Sequence, residues 1–314
     1  MAVTAHGPED AASDRRPAVG RGVAAAVAAY LAWGLFPLYF KLARGISPLL
    51  VLAHRMLWSM AFLAALVSLR RRWRDLAPEW AAPRLRVYAA TTLLISANWL
   101  LFIWAVTAGR VLESSLGYFV NPLVNVLLGA VFLQERLSRP QRVAVALAGA
   151  GVLALVVRLG SFPWVSLLLA LTFGLYGLLR KRARIDAIVG LLLETTLVTP
   201  VALGYVAVVA ARGEPAFGPG GWTTALVLMG LGVITPVPLI WFATAVRTLR
   251  LSTMGLLQYI APTCQFVLAV ALYREPFTRT HGFAFACIWA SLALYTADAL
   301  RRRRPAAPEP LALD

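Results

Sequence analysis

The sequence predicts an all-α integral membrane fold: ten transmembrane helices arranged as two inverted five-helix repeats, with both termini in the cytoplasm. Three observations predict it. Of the 314 residues 60% are hydrophobic and 14% charged, with a mean hydropathy of +0.73, whereas soluble domains run at about 45–50% apolar and about 25% charged. Apolar runs of membrane length recur along the whole chain. A shift of 140 residues aligns the sequence with itself.

A helix needs about twenty mostly apolar residues to cross roughly 30 Å of hydrocarbon at about 1.5 Å per residue. Such stretches lie at 22–43, 48–69, 87–108, 112–133, 141–158, 162–179, 187–211, 222–245, 253–272 and 280–299. Arg15, Arg16 and Arg21 precede the first run as they would a signal peptide. That run is too long for an h-region, and nine more follow, so it reads as an uncleaved helix. Arg15 and Arg16 lack the rest of a twin-arginine signal. Residues 1–20 and 301–314 read as disordered cytoplasmic tails around repeats at 21–160 and 161–300. The longest connection, 70–86, carries an arginine cluster and two prolines and reads as a cytoplasmic turn.

The net charge of +16 would suggest nucleic acid in a soluble protein. Here the positions of the charges decide. With the N-terminus inside, twenty-two of thirty basic residues fall on the cytoplasmic side, which fixes an N-in, C-in orientation. The basic balance therefore reports topology, and no nucleic-acid partner is expected. Cys264 and Cys287 both lie in apolar runs and exclude a disulfide framework.

Under the 140-residue shift, Trp33-Gly34-Leu35 falls on Phe173-Gly174-Leu175, Lys41 on Lys181, Pro122 on Pro262, Glu135 on Glu275 and Arg139 on Arg279. Two Leu/Ala-rich strings match easily at apolar positions and poorly at Pro, Glu and Lys, so these matches indicate a true repeat. Five spans per half force the halves to cross the membrane in opposite senses. That is the inverted repeat of secondary transporters, with a solute site near the midplane.

Polar residues inside a membrane are costly unless they face a partner or a wet cavity. His54 and Arg55 lie about two turns into the second span. Glu194 lies as deep in the seventh, from the cytoplasmic end, and the shift places His54 on Glu194. His54 titrates near neutrality and a desolvated Glu194 can hold a proton, so these residues, with Lys41 and Lys181, are candidate gating or coupling groups. Outward snorkelling of His54 and Arg55 is the structural alternative. Glu135 and Glu275 read as structural, ending spans 4 and 9 and pairing with nearby arginine. Ser138 and Thr278 are placed to cap the helices that follow.

In span 4, Asn121 and Asn125 are one turn apart and share a face. Their equivalents are Ala261 and Gln265. Pro122 and Pro262 sit mid-span as helix kinks and free the carbonyls of Tyr118 and Gln258. These positions, with Tyr259, read as cavity lining, against the alternative of interhelical amide glue. Span 3 adds Asn98, Trp99 and Trp104, an aromatic wall or plain packing. No phosphate-cradling loop, serine elbow or metal-spaced Cys/His set is present, and of three histidines His6 lies in the tail and His281 near the start of span 10. The chain is therefore not expected to be an enzyme or to hold a cofactor, and proton coupling stays open. The expected partners are a small-molecule substrate and the lipid bilayer, and a homodimer is compatible with the sequence.

Several stretches resemble the EamA-like transporters of the drug/metabolite transporter superfamily, and more closely the RarD branch named for chloramphenicol sensitivity. They are Ala29-Tyr-Leu-Ala-Trp-Gly-Leu-Phe-Pro-Leu-Tyr-Phe-Lys41, Ala53-His54-Arg55, Asn98-Trp-Leu-Leu-Phe-Ile-Trp104 and Leu112-Glu-Ser-Ser-Leu-Gly-Tyr-Phe-Val-Asn-Pro-Leu-Val-Asn125. In the second half they are Phe173-Gly-Leu-Tyr-Gly-Leu-Leu-Arg-Lys181, Leu193-Glu194 and Gln258-Tyr-Ile-Ala-Pro-Thr263. The resemblance covers about residues 21–300. It implies a permease of the bacterial plasma membrane with a central cavity and peripheral fifth and tenth helices. Efflux of a small organic metabolite or drug is the leading expectation. The alternative is a non-transporting membrane scaffold or sensor, which would need neither two mirrored polar clusters nor such short loops.

Overall fold

In hydrocarbon a helix satisfies every backbone N–H and C=O within its own segment, and long Leu, Ala and Val runs take that solution here. The computed structural model describes residues 8–132, 134, 137–159, 162–183, 187–248 and 257–301, and among them there is no strand. The helices are α1 (Pro8–Leu42), α2 (Pro48–Leu69), α3 (Ala82–Thr107), α4 (Val111–Phe132), α5 (Arg139–Leu159), α6 (Trp164–Ala183), α7 (Ala187–Ala211), α8 (Gly221–Ile234), α9 (Pro236–Thr248), α10 (Ile260–Val267) and α11 (Arg279–Arg301). A π turn, Leu268–Leu272, continues α10. Two 3-10 turns, Trp73–Asp75 and Ala77–Trp80, occupy the 70–86 connection.

Among the described residues six helices are long and apolar enough to cross a membrane: Gly20–Leu42, Pro48–Leu69, Arg84–Thr107, Val111–Phe132, Ile188–Ala211 and Gly221–Phe242. Trp164–Arg180 and Ile260–Leu272 are shorter apolar helices. Leu93, Val131, Val201 and Leu226 point outward from them, the arrangement expected of a protein whose solvent is lipid.

Three features differ from the sequence reading. Helix α1 is described from Pro8 onward and so runs across residues expected to form a disordered tail. The eighth span divides at Thr235 between α8 and α9, because Pro236 and Pro238 bring no amide donors to the join. In span 9, Gln258 and Tyr259 form a turn and α10 starts at Ile260. Pro262 therefore sits in a first helical turn, where its missing N–H is no loss, rather than kinking a continuous helix. Pro122, by contrast, does lie inside unbroken α4.

The packing is reciprocal. Helix α1 lies on α9 and α10, and α6 lies on α3 and α4; α2 packs on α7 and α8, and α3 meets α7. Two glycines permit the closest approaches. A Cβ on Gly34 would stand 2.6 Å from that of Cys264 on α10, and one on Gly174 would stand 2.9 Å from Leu128 on α4. Phe40, Phe102, Phe119, Leu228 and Ile288 contribute to one core cluster, and Leu63, Tyr88 and Leu193 to a second.

Helices α5 and α11 pair chiefly with each other. Ser291 donates to the Ala144 carbonyl (2.6 Å) and Ser138 to Asp298 (2.8 Å). Both expected caps are present as reciprocal boxes. The Gln141 amide donates to Ser138 Oγ (3.2 Å) while Gln141 Oε1 accepts from the Ser138 amide (3.0 Å). At the second, the His281 amide meets Thr278 Oγ1 (3.4 Å) and the Thr278 amide donates to His281 Nδ1 (3.2 Å).

Candidate functional site

His54 and Arg55 reach the interior because α2 is buried on the side facing α7 and α8; they are 2% and 3% exposed. His54 Nδ1 accepts a hydrogen bond from Trp58 Nε1 (3.3 Å), one turn on. A neutral imidazole with Nδ1 accepting carries its proton on Nε2, which lies 2.8 Å from the Ala216 carbonyl oxygen and donates to it. The Phe217 ring is 4.7 Å from the imidazole. The connection between α7 and α8 is thereby fastened over this end of α2.

Arg55 is held differently. Its guanidinium carbon stands 3.9 Å over the Trp99 ring and 5.7 Å from that of Phe40. Its buried Nε has no acceptor. None of the ion pairs among the described residues includes it: these join Arg72 to Asp75, Arg84 to Glu79, Arg110 to Glu113 and Arg180 to Glu194. A desolvated cation–π contact contributes about 2 kcal/mol, while the effective penalty for burying an ion is several kcal/mol. The aromatic face alone does not balance this charge.

Glu194, the mirrored position, is 2% exposed and fully engaged on one oxygen. Tyr176 donates its hydroxyl to Oε2 (3.1 Å), and Arg180 Nη1 stands 3.4 Å from the same atom. Arg180 also donates to the Tyr176 hydroxyl. The sequence reading missed Arg180, which it counted as a topology charge, and Tyr176. The available signal was the 140-residue shift, which places Arg180 on Phe40.

Glu275 closes the end of the molecule that carries His54. Its Oε1 and Oε2 accept the amides of Val111 (2.8 Å) and Leu112 (2.7 Å) at the start of α4, where the helix dipole favours a carboxylate. Its partners are thus backbone amides instead of the arginine expected. Burial nevertheless holds its pKa above the usual carboxylate range, against the opposing pull of the two amides and of Lys41. The Lys41 ammonium lies 4.5 Å over the Tyr273 ring. Glu135 and the Lys181 side chain fall outside the described residues.

Helices α4 and α10 meet where the sequence placed the polar lining. Ser115 donates to the Pro262 carbonyl (2.9 Å). Asn121 is 8% exposed and its Oδ1 has no partner; Asn125 is exposed, with Oδ1 beside Gly174. Gln265 donates to the Trp33 carbonyl (3.2 Å) while its Oε1 has no partner. Gln258 and Tyr259 are half-buried at the turn, and Tyr259 stacks on Phe119 with centroids 6.5 Å apart. Tyr118 contacts Phe102 edge-on at 5.8 Å. Asn98 donates to Leu169 O and Thr172 Oγ1, both at 2.9 Å, and ties α3 to α6. Trp104 lies away from Trp99, against Trp164 at 5.4 Å and beneath Arg110.

A cavity of about 390 Å³ between Arg110, Glu113, Trp164, His281 and Phe285 marks the same end as Glu275. Among the described residues no three His, Cys, Asp or Glu side chains gather as a metal-ligand set.

Comparison with known proteins agrees with this architecture. The EamA-like transporter family matches residues 20–157. An uncharacterized transporter of Vibrio cholerae is 44% identical over 90% of this chain and 93% of its own length. Protein RarD of Escherichia coli is 43% identical over 90% of this chain and 96% of its own, as is the uncharacterized transporter YojE of Bacillus subtilis. A solved crystal structure superposes with a TM-score of 0.57 at 21% identity, covering 91% of this chain and 99% of that one, a likeness of fold alone.

Proposed function

The chain belongs to the EamA-like transporter family, in its RarD-type branch, and on that premise we propose that this membrane transporter exports a small organic solute by alternating access of two inverted five-helix halves. The halves are 21–160 and 161–300, ten spans in a bacterial inner membrane with both termini inside. The observation that carries this reading is the reciprocal packing, α1 on α9 and α10 and α6 on α3 and α4. The equivalent glycines Gly34 and Gly174 and the equivalent capping boxes at Ser138 and Thr278 support it. Two like halves of opposite sense can exchange conformations and so open to either side in turn.

In this reading the solute path runs past Trp99, Tyr118, Asn121, Asn125, Gln258, Tyr259 and Gln265. Asn98 and Trp104 support that path from behind, since both are engaged by α6 or its approach. His54, Lys41 and Glu275 belong to the outer gate, Arg55 lies where that gate meets the solute path, and Glu194, Arg180 and Lys181 belong to the inner gate. The test compares metabolites in cells and medium when wild type or an Asn121→Leu, Gln265→Leu double variant is overexpressed at matched membrane abundance. A compound enriched in the medium with wild type only supports export along this path. Equal profiles contradict it.

A further inference from the structure

We infer that Arg55 is the anchor for a carboxylate, and that the transported solute is a singly charged organic acid with an apolar or aromatic body. The inference rests on the transport reading above and deepens it.

Arg55 is a cation 3% exposed, with an unpartnered buried Nε and, among the described residues, no carboxylate in an ion pair with it. Its flat face is taken by Trp99 at 3.9 Å. A contact over one ring face leaves the N–H groups of a guanidinium to hydrogen bond in its plane, and the unpartnered Nε is one of the donors that a carboxylate takes in two parallel hydrogen bonds. One positive charge balances one negative charge. A phosphate dianion in the same place would leave a net charge in a low-dielectric interior, so the site favours a monocarboxylate.

The surroundings indicate the rest of the solute. Phe40 stands 5.7 Å from the guanidinium, and Phe102 stands 5.8 Å from both Phe40 and Tyr118. These rings pack edge-on in a continuous apolar row from Arg55 to α4. One turn beyond Tyr118 on that helix, Asn121 offers a buried amide whose oxygen has no partner. A carboxylate at Arg55 would thus extend an aromatic or branched body along that row, with a second polar group within reach of Asn121. His54, next in sequence, is bonded to the Ala216 carbonyl and covers the site from the α7–α8 connection.

The test is thermal melting of the purified full chain in detergent. The probes are hexanoate, 3-phenylpropanoate and indole-3-acetate, each compared with its primary amide of the same shape. The expected result is that at least one carboxylate raises Tm by about 2–4 °C at saturation while its amide does not. Arg55→Met should abolish the rise and Arg55→Lys should reduce it. The wild-type comparison of acid with amide decides the matter even if Arg55→Met fails to fold. An amide that stabilises as well as its acid, a rise that survives in Arg55→Met, or no rise with any of the three acids overturns the inference. Counterflow in liposomes separates the two readings. Flux of a neutral solute without acid binding removes the carboxylate site and keeps transport, whereas acid binding without any flux keeps the site and removes transport.

Discussion

A shift of 140 residues places His54 on Glu194, yet the charges around them are arranged in opposite ways. On the second half, Arg180 of α6 reaches a carboxylate on α7, and Tyr176 bonds to both. On the first half, Phe40 stands where Arg180 would be, and the cation is Arg55 on α2, held by rings alone. The residue equivalent to Arg55 is Thr195, whose hydroxyl is satisfied within its own helix by the Leu191 and Leu192 carbonyls at 2.9 Å. One cluster is thus internally balanced and the other carries a net charge.

The sharpest way to break that comparison is to remove each cation. Arg180→Met leaves Glu194 buried without its partner and should cost about 3–5 kcal/mol, most of it recovered when Glu194→Gln is added. Arg55→Met removes a charge held by rings and paired with no carboxylate among the described residues, and should be neutral or stabilising in buffer free of carboxylates. Melting of the purified variants checks both, and a large loss at Arg55 would mean a structural partner. Next in size are the close-packed glycines. Gly34→Val should cost about 1–3 kcal/mol through overpacking, and Gly174→Val less, because an added Cβ meets Cys264 Cβ and the Ala261 backbone at Gly34 but the movable side-chain ends of Leu128 and Asn125 at Gly174. A smaller effect is expected at His54. His54→Phe loses the bond to Ala216, about 0.5–1.5 kcal/mol, and should speed hydrogen exchange in 212–220 without changing it around Glu194.

The smallest expected effect is one of pH. Burial holds the Glu275 carboxyl above its ordinary pKa, so the folded chain retains that proton to higher pH than the unfolded chain. The associated stability is complete below the unfolded pKa and is lost as pH rises through the folded one. Glu275→Gln should flatten that decline, read as melting temperature against pH from mildly acidic to neutral buffer. An unchanged slope would mean that Glu275 titrates like an exposed carboxylate.

The apolar runs and the hydroxyl caps were legible in the sequence because each is a local signal. His54, Arg55 and Glu194 were legible as polar residues where lipid penalises them. Their partners were not, since which helix face meets which is set by packing in three dimensions. Arg180 read as one charge among a cytoplasmic cluster, and only its approach to Glu194 shows otherwise. Asn98 read as a cavity residue, whereas its amide is engaged by Leu169 and Thr172 on a helix about seventy residues away. The two prolines of the repeat look alike in sequence, but one lies within α4 and the other opens α10 after a turn. That difference depends on the chain before Pro262, not on the proline itself.

The most direct measurement is untargeted profiling of the medium from cells expressing wild type or Arg55→Met at equal membrane abundance. The expected result is a carboxylate-bearing compound that accumulates outside with wild type and not with the variant. The same enrichment with both proteins, or an enriched compound with no anionic group, would contradict the assignment of Arg55 as the solute's anchor.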